Sequence, residues 1–439
     1  MKKNYFLGLI ALTALSVTSC TNDEVVEAMP QKQAIEFGTY LGRDAQARGL
    51  VLGDGVAFKQ FAVTAFYTGQ IAWANYTGKP NFMYNQPVTD TGTTDTKWTY
   101  SPLKYWPTTH DDKITFFAYA PMAATDNGIG SLSANKATGT PTVSYSIAAD
   151  NLETQADFVA DALIDVTQGG DDGTTIDSEP RSVSFGLNHE LTRLSFTAQL
   201  DRDAWENGGA TQINIKSINI ITDANDKFYT SGTYTFANIK DETTTSNEVT
   251  TTTYKRGSWS FTGVANEDMS LEKILAIDKS VSLGGYTEEG VLKENYKENG
   301  IFISSESPVE LFKKSGTKQH YLFLLPPNGE NGISTTTNDG ETKIGGIKMR
   351  IAYDIVTIDS NLKVGYSYTP AEKIIEFPNG SLKQGVAYNF ALTFGLNEIK
   401  LSASVAGWGN ETGLSDNVDW PKDDNTTPTT PPANSGSGE

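Results

Sequence analysis

Cysteine is almost absent from this chain. Of 439 residues only Cys20 carries a thiol, which excludes an internal disulfide framework and any cysteine-rich metal centre in the folded body. Histidine is nearly as scarce, and His110, His189 and His320 are the only imidazoles available as bases for nucleophilic catalysis. Positive charge is in deficit. The 34 Lys and Arg against 53 Asp and Glu give a formal net charge of −19, and without a basic cluster to meet phosphates a nucleic-acid partner is excluded. Beyond the first twenty residues no apolar run reaches the length of a membrane-spanning helix. A nucleophile elbow, a phosphate-cradling glycine loop and an HExxH helix are also missing, which removes the commonest hydrolase and nucleotide-binding chemistries.

What is present begins with "MKKNYFLGLIALTALSVTSC". Lys2 and Lys3 make a positive start, Phe6 to Leu15 an apolar stretch, and Val17, Thr18 and Ser19 a small-residue approach to Cys20. That is a secretory signal over residues 1–19, and the small residue before the lone cysteine looks like a bacterial lipobox in which the thiol is acylated. Several acyl chains anchor stably where one alone is marginal. The acidic "TNDEVVEA" that follows reads as a flexible tether.

The length suits roughly two to three domains. The body reads as β almost throughout, with short alternating runs punctuated by Gly, Asn, Asp and Pro. Strand candidates are Phe61 to Tyr67, Lys113 to Pro121, Ser182 to Leu187, Thr192 to Leu200, Ile347 to Ile355 and Ala387 to Phe394. In "INIKSINII" the alternation changes phase at Ser217, which predicts a bulge. Two segments, "QADFVADALIDV" and "NEDMSLEKILAID", have the spacing of short helices. Neither alternates with strands as βαβ units do, so the expected architecture is antiparallel sandwiches. The polar "DRDAWENGGATQ" places the domain join near residue 200, giving an N-terminal sandwich over 49–200 and a C-terminal one over 201–420. The threonine-rich "DETTTSNEVTTTTYK" reads as a hairpin, and 421–439 as a disordered tail.

Candidate chemistry is sparse. His110 with Asp111 and Asp112 could offer metal ligands, but neighbours on one turn rarely converge on an ion, so no metal site is assigned. The run "QGGDDGTTIDSEP" lacks the ligand spacing of an EF-hand loop. His189, between two strand candidates, reads as a hydrogen-bonded structural residue. Trp73, Tyr76, Trp98 and Trp106 could stack on sugars or pack a core, and their alternation with Thr and Ala favours the core. Near the end, "NEIKLSASVAGWG" sets Ile399, Leu401, Ala403 and Val405 on one face of a strand, with Trp408 just beyond.

Several stretches together resemble the fimbrillin family, the lipoprotein-derived subunits of type V pili. They are the lipobox at Cys20, "AIEFGTYLGRDAQARGL", "WTYSPLKYWP" with "ITFFAYAP", "FGLNHELTRLSF", "HYLFLLPP", and "LKQGVAYNFALTF" leading to "IKLSASVAGW". The resemblance implies two transthyretin-like antiparallel β-sandwich domains in tandem. It also implies a precursor with palmitate on Cys20 that reaches the cell outer membrane, and no enzyme activity or cofactor. An arginine-specific protease would remove the lipidated segment 20–48, and the groove so opened would accept a strand from another pilin subunit in an extracellular pilus. A host or bacterial surface ligand would be the adhesive partner.

Set against that scheme, Ile35, Phe37 and, with a slip at Thr39, Leu41 form the expected plug strand. Arg48, followed by the small Gly49, is the preferred cut, and Arg43 before Asp44 the weaker one. The expected donor strand is 398–408, with Ile399, Leu401, Ala403, Val405 and Trp408 as its apolar residues. Burying four such side chains at ~1.5–3 kcal/mol each gives roughly 6–12 kcal/mol gross. Fimbrillins that polymerise end near a final tryptophan, whereas this chain continues past Trp420, so stalk, anchor and tip roles stay open. The competing reading is a monomeric surface lipoprotein that binds glycans.

Overall fold

The structure is a computed structural model. It describes residues 33–406 except for 42–50, 92–97, 169–181, 202–210, 222–227, 278–282, 287–291, 327–333 and 337–341 and shorter gaps between them. Among these residues there is no α-helix, and a 3-10 turn at Trp73–Asn75 interrupts a chain of strands. The protein is all-β.

The principal strands of the first part are β1 (Glu36–Leu41), β2 (Gln60–Gly69), β3 (Met83–Asp90), β4 (Trp98–Thr99), β5 (Lys113–Ala120), β6 (Ile129–Leu132), β7 (Thr142–Ser146), β8 (Val159–Val166) and β9 (Ser182–His189). Seven of them form one sheet in the order β1-β9-β8-β5-β2-β3-β4. Phe61, Val63, Phe116, Ala118, Val183 and Phe185 point to one face and make a core of their own. Ala62, Phe66, Phe117 and Tyr119 point to the other face and join a second, larger core. A strand dry on both faces reads as a continuous apolar run, as "ITFFAYA" does.

The sheet curls until its two ends meet. The Ile35 N–H donates to Lys104 O at 2.9 Å, the Trp106 N–H donates to Gln33 O at 3.0 Å, and Ala34 bridges Tyr105.

The strands of the second part are β10 (Thr192–Leu200), β11 (Thr211–Ile221), β12 (Ser231–Thr235), β13 (Ser258–Phe261), β14 (Lys348–Ile358), β15 (Tyr366–Glu376), β16 (Ala387–Phe394) and β17 (Ile399–Ala406). One five-stranded sheet has β10 paired to β16 and β16 to β17, with Val309–Glu310 and Leu322–Leu324 on the other side of β10. A second five-stranded sheet runs β11-β14-β15, with Asp268–Ser270 and Ile301–Ile303 on β11. Phe196 stacks on Phe390 with ring centroids 5.5 Å apart. Both rings share a core with Ile213, Ile215, Ile218 and Met349. The pairing of β11 with β14 shifts between Ile215 and Ser217, where the sequence changes phase.

A four-stranded sheet, β13-β12-β7-β6, draws on both parts of the chain. Its Tyr145, Tyr234 and Trp259 pack around Phe158 at centroid distances of 5.1 to 6.4 Å. The sheets therefore do not divide at residue 200. β10 belongs with β16, and β12 with β7. The polar stretch after Leu200 connects β10 to β11, two strands of the second part, and composition could not distinguish such a connection from a domain join.

Two further expectations change. The antiparallel rule fails at β1 with β9 and at β10 with β16, both parallel and both joining strands far apart in sequence. The helix-like "QADFVADALIDV" holds β8 from Val159 onward. Buried Asp161 stands in that strand because its carboxylate accepts the Gly186 N–H at 2.8 Å. The register shifts between Leu163 and Val166, with Asp165 at φ 54, so a bulge produces the helical spacing. "NEDMSLEKILAID" likewise holds a short strand at Asp268–Ser270 and a turn. The threonine-rich segment is a hairpin pairing Glu242–Ser246 with Val249–Thr253.

Candidate functional site: a terminal strand in an aromatic groove

β1 occupies a groove between β9 and the segment 100–106. Its alternation sends Ile35 and Phe37 inward, at 1% and 6% exposure, while Glu36 is exposed. The Phe37 ring lies 5.0 Å from Tyr100, 5.9 Å from Phe185, 6.0 Å from Phe116 and 6.4 Å from Phe61 by centroid. Such stacked, tilted and edge-on rings add attraction beyond the area they bury. Tyr100 fastens the strand from outside its ladder, its hydroxyl donating to Ile35 O at 2.8 Å. Burial pushes the Tyr100 phenol up from its ordinary value. At the start of the strand, Gln168 Nε2 donates to Gln33 Oε1 at 2.9 Å.

No slip occurs at Thr39. The parallel ladder runs unbroken from Glu36 opposite Ser182 to Leu41 opposite Leu187, so residues 35, 37, 39 and 41 keep one phase. Thr39 Oγ1 is buried and has no hydrogen-bond partner among the described residues, and the same holds for Trp106 Nε1 beside the start of β1. The Leu41 side chain lies outside the described residues, as do Cys20, Arg43, Arg48 and Gly49.

The expected donor strand is β17, docked in its own sheet. It runs antiparallel to β16, with Ile399 opposite Phe394, Leu401 opposite Leu392, Ala403 opposite Phe390 and Val405 opposite Tyr388. Ile399 and Leu401 are half-buried against the larger core. The side chains of Ala403 and Val405, and all of Trp408, lie outside the described residues.

The aromatic residues considered for sugar stacking pack inward. Trp73 and Trp106 are each 4% exposed. Trp73 stacks on Tyr76 at 5.8 Å, and Trp98 meets Phe61 edge-on at 5.1 Å. His110 lies outside the described residues. The Asp112 carboxylate accepts from Tyr67 at 2.5 Å and Gln70 at 2.7 Å.

His189 is the hydrogen-bonded structural residue expected from its place between two strands, but sequence reasoning passed over the rest of the buried polar clasp it joins at the β9–β10 turn. His189 Nδ1 lies 2.5 Å from Asp157 Oδ2, and both side chains are buried. The neighbouring Glu190 is 1% exposed. Its carboxylate accepts from Gln384 Nε2 and lies 3.9 Å from Arg256, while its backbone carbonyl accepts from Trp259 Nε1 at 2.8 Å. Burial pushes the Glu190 carboxyl up to about 8, against the opposing pull of Arg256 and Gln384. Arg256 also donates to His189 O at 2.7 Å. Gly385, at φ +71, leaves room for that guanidinium. Arg193 lies over the Tyr321 ring at 4.1 Å. The clasp laces strands of both parts together, and the polar "NHE" between two apolar strands was its available signal.

No protein-family model matches the chain. It is 26% identical over 431 residues to fimbrium subunit Fim1C of Phocaeicola vulgatus, a match that covers 94% of this chain and 98% of that protein. The crystal structure of a fimbrial protein from Bacteroides vulgatus shares the fold at a TM-score of 0.59 and 23% identity, covering 86% of this chain and all of that one. Over nearly its whole length the chain is thus similar to a fimbrium subunit, and it shares the fold of a fimbrial protein.

Proposed function

We propose that this protein is a structural or adhesive pilus subunit, built on two transthyretin-like sandwiches and assembled by strand exchange. The precursor is exported as a lipoprotein through Cys20 and reaches the outer membrane. An arginine-specific protease cuts between Arg48 and Gly49, or after Arg43. β1 leaves with the lipidated segment, and the groove takes the β17 strand of another copy. The subunit then stands in a pilus at the cell surface, where it serves adhesion and needs no catalysis of its own.

The observation that carries this reading is the place of β1. It is the terminal strand of its sheet, it fills an aromatic groove, and both candidate arginines follow it directly in the sequence. A donor entering that edge gains main-chain hydrogen bonds and inward pockets for alternate side chains. An emptied groove is an aggregation-prone edge, which gives the plug a protective role before cleavage. The names of the Phocaeicola and Bacteroides proteins support the same assignment. Glycan binding loses its support, since the four aromatic residues nominated for it pack into the cores.

The test is to treat purified precursor with an arginine-specific protease. Cleavage at Arg48 followed by a ladder of multimers on a denaturing gel is expected. A chain that is cut but stays monomeric, or that binds polysaccharide while uncut, overturns the proposal.

A further inference from the structure

The plug satisfies its own groove imperfectly. Thr39 Oγ1, on the inward face of β1, is buried and has no hydrogen-bond partner among the described residues, and a buried unpaired hydroxyl destabilises the state that contains it. β17 repeats the spacing of β1 with one informative change. Ile399, Leu401, Ala403 and Val405 follow the intervals of Ile35, Phe37, Thr39 and Leu41, and the residue in step with Thr39 has no hydroxyl. In the same alignment Lys400 falls where Glu36 is exposed. Ser402 falls at Gly38, where an added Cβ would meet chiefly the Ser184 hydroxyl, a group able to rotate away.

We propose that Thr39 makes the plug a metastable placeholder, and that a second copy's β17 enters in the register that puts Ala403 in the Thr39 position. Exchange is then favoured in part because it removes a buried, unpaired hydroxyl. Leu401 fills the Phe37 pocket less fully than phenylalanine does, so that slot opposes exchange and the Thr39 slot promotes it. This inference rests on the strand-exchange reading above.

Two measurements judge it. In the uncut precursor, Thr39→Val removes the hydroxyl at nearly constant volume and is expected to raise the melting temperature by about 2–8 °C. After cleavage the same change slows ladder formation on the order of tenfold. Thr39→Ser keeps the hydroxyl and brings neither effect, and Thr39→Ala replaces the valine variant in the rate measurement should that variant misfold. An unchanged or lowered melting temperature, or an unslowed ladder, overturns the placeholder role.

Register is read by disulfide trapping, because the single native cysteine lies on the segment removed. Copies carrying Ser402→Cys are cleaved and mixed under oxidation with copies carrying Ser184→Cys, the partner of Gly38 in the present ladder. Neighbouring strands lie ~4.8 Å apart, within disulfide reach, whereas a two-residue offset falls outside it. Crosslinking through Ser402 supports the register, and crosslinking only through a Ser404→Cys variant overturns it. A wild-type chain that forms no ladder removes the exchange reading and its register together. The melting temperature of uncut Thr39→Val would still judge the placeholder role.

Discussion

β1 and β17 are both terminal strands with one apolar face, and the fold holds them differently. β1 runs parallel to β9, is bonded near its start by the 104–106 segment, and buries Ile35 and Phe37 almost completely. β17 runs antiparallel to β16, with its described pairing on that side alone, and leaves Ile399 and Leu401 half-buried. Similar alternation thus gives a strand that is locked where the sheet curls round to offer two walls, and one laid against a single wall elsewhere. Burial, rather than pattern, decides how firmly each is held.

The largest effect expected from this contrast is at Phe37. Phe37→Ala empties a pocket shared by four rings and should cost about 3–5 kcal/mol of stability. Leu401→Ala, on a half-buried site, should cost well under half as much. Urea unfolding followed by tryptophan fluorescence measures both, and equal losses would break the contrast.

Next comes the clasp between the strands' two sheets. Glu190 has a folded-state pKa of about 8, above its ordinary value of 4.5. Folding therefore takes up a proton, and the associated stability is full below pH ~4.5 and declines as pH rises towards 8. The decline between pH 5 and 8 should be on the order of 3 kcal/mol. Glu190→Gln should flatten the slope. If β1 and β17 report on one cooperative unit, urea midpoints read at the two strands will fall together as pH rises; separate responses would assign each strand its own half.

Much of this contrast was legible in the sequence, and the gaps have physical causes. Alternation located β2, β5, β9, β10, β14 and β16 and the bulge near Ser217, because a half-buried strand writes its period into its own residues. Pairing partners were not legible. That β1 lies beside β9, and β10 beside β16, depends on how the sheets close, and nothing local to those strands encodes it. The helical reading of β8 failed because Asp161 is buried opposite a backbone N–H supplied from β9, so a polar residue occupied a core position. The clasp was hidden for a related reason. Glu190, Arg256 and Gln384 are far apart in the chain, and each alone resembles an ordinary surface residue.

A smaller effect is expected at Tyr100, which touches only the first of the two strands. Tyr100→Phe keeps the ring against Phe37 and removes the hydroxyl bond to Ile35 O, at a cost of about 0.5–1.5 kcal/mol. After the proposed cleavage it should speed release of the β1 segment, measured by the appearance of that peptide in gel filtration, and leave β17 untouched. Faster hydrogen exchange in β17 as well would show that the two edges are coupled.

The smallest effect is expected at Lys400, whose side chain is 62% exposed and whose Nζ lies 3.6 Å from Asp201 Oδ2. Solvent screens such a pair and two flexible groups must be ordered to form it, so Lys400→Ala should change stability by less than ~0.5 kcal/mol. The measurement discriminates because Lys400 lies on the face of β17 opposite Ile399 and Leu401. If apolar burial against one wall is what holds β17, removing this charge will leave both the urea midpoint and hydrogen exchange along β17 almost unchanged. A loss comparable to Leu401→Ala would mean that the ion pair, rather than the apolar face, pins the strand at home, and the contrast with β1 would then be one of charge as well as burial.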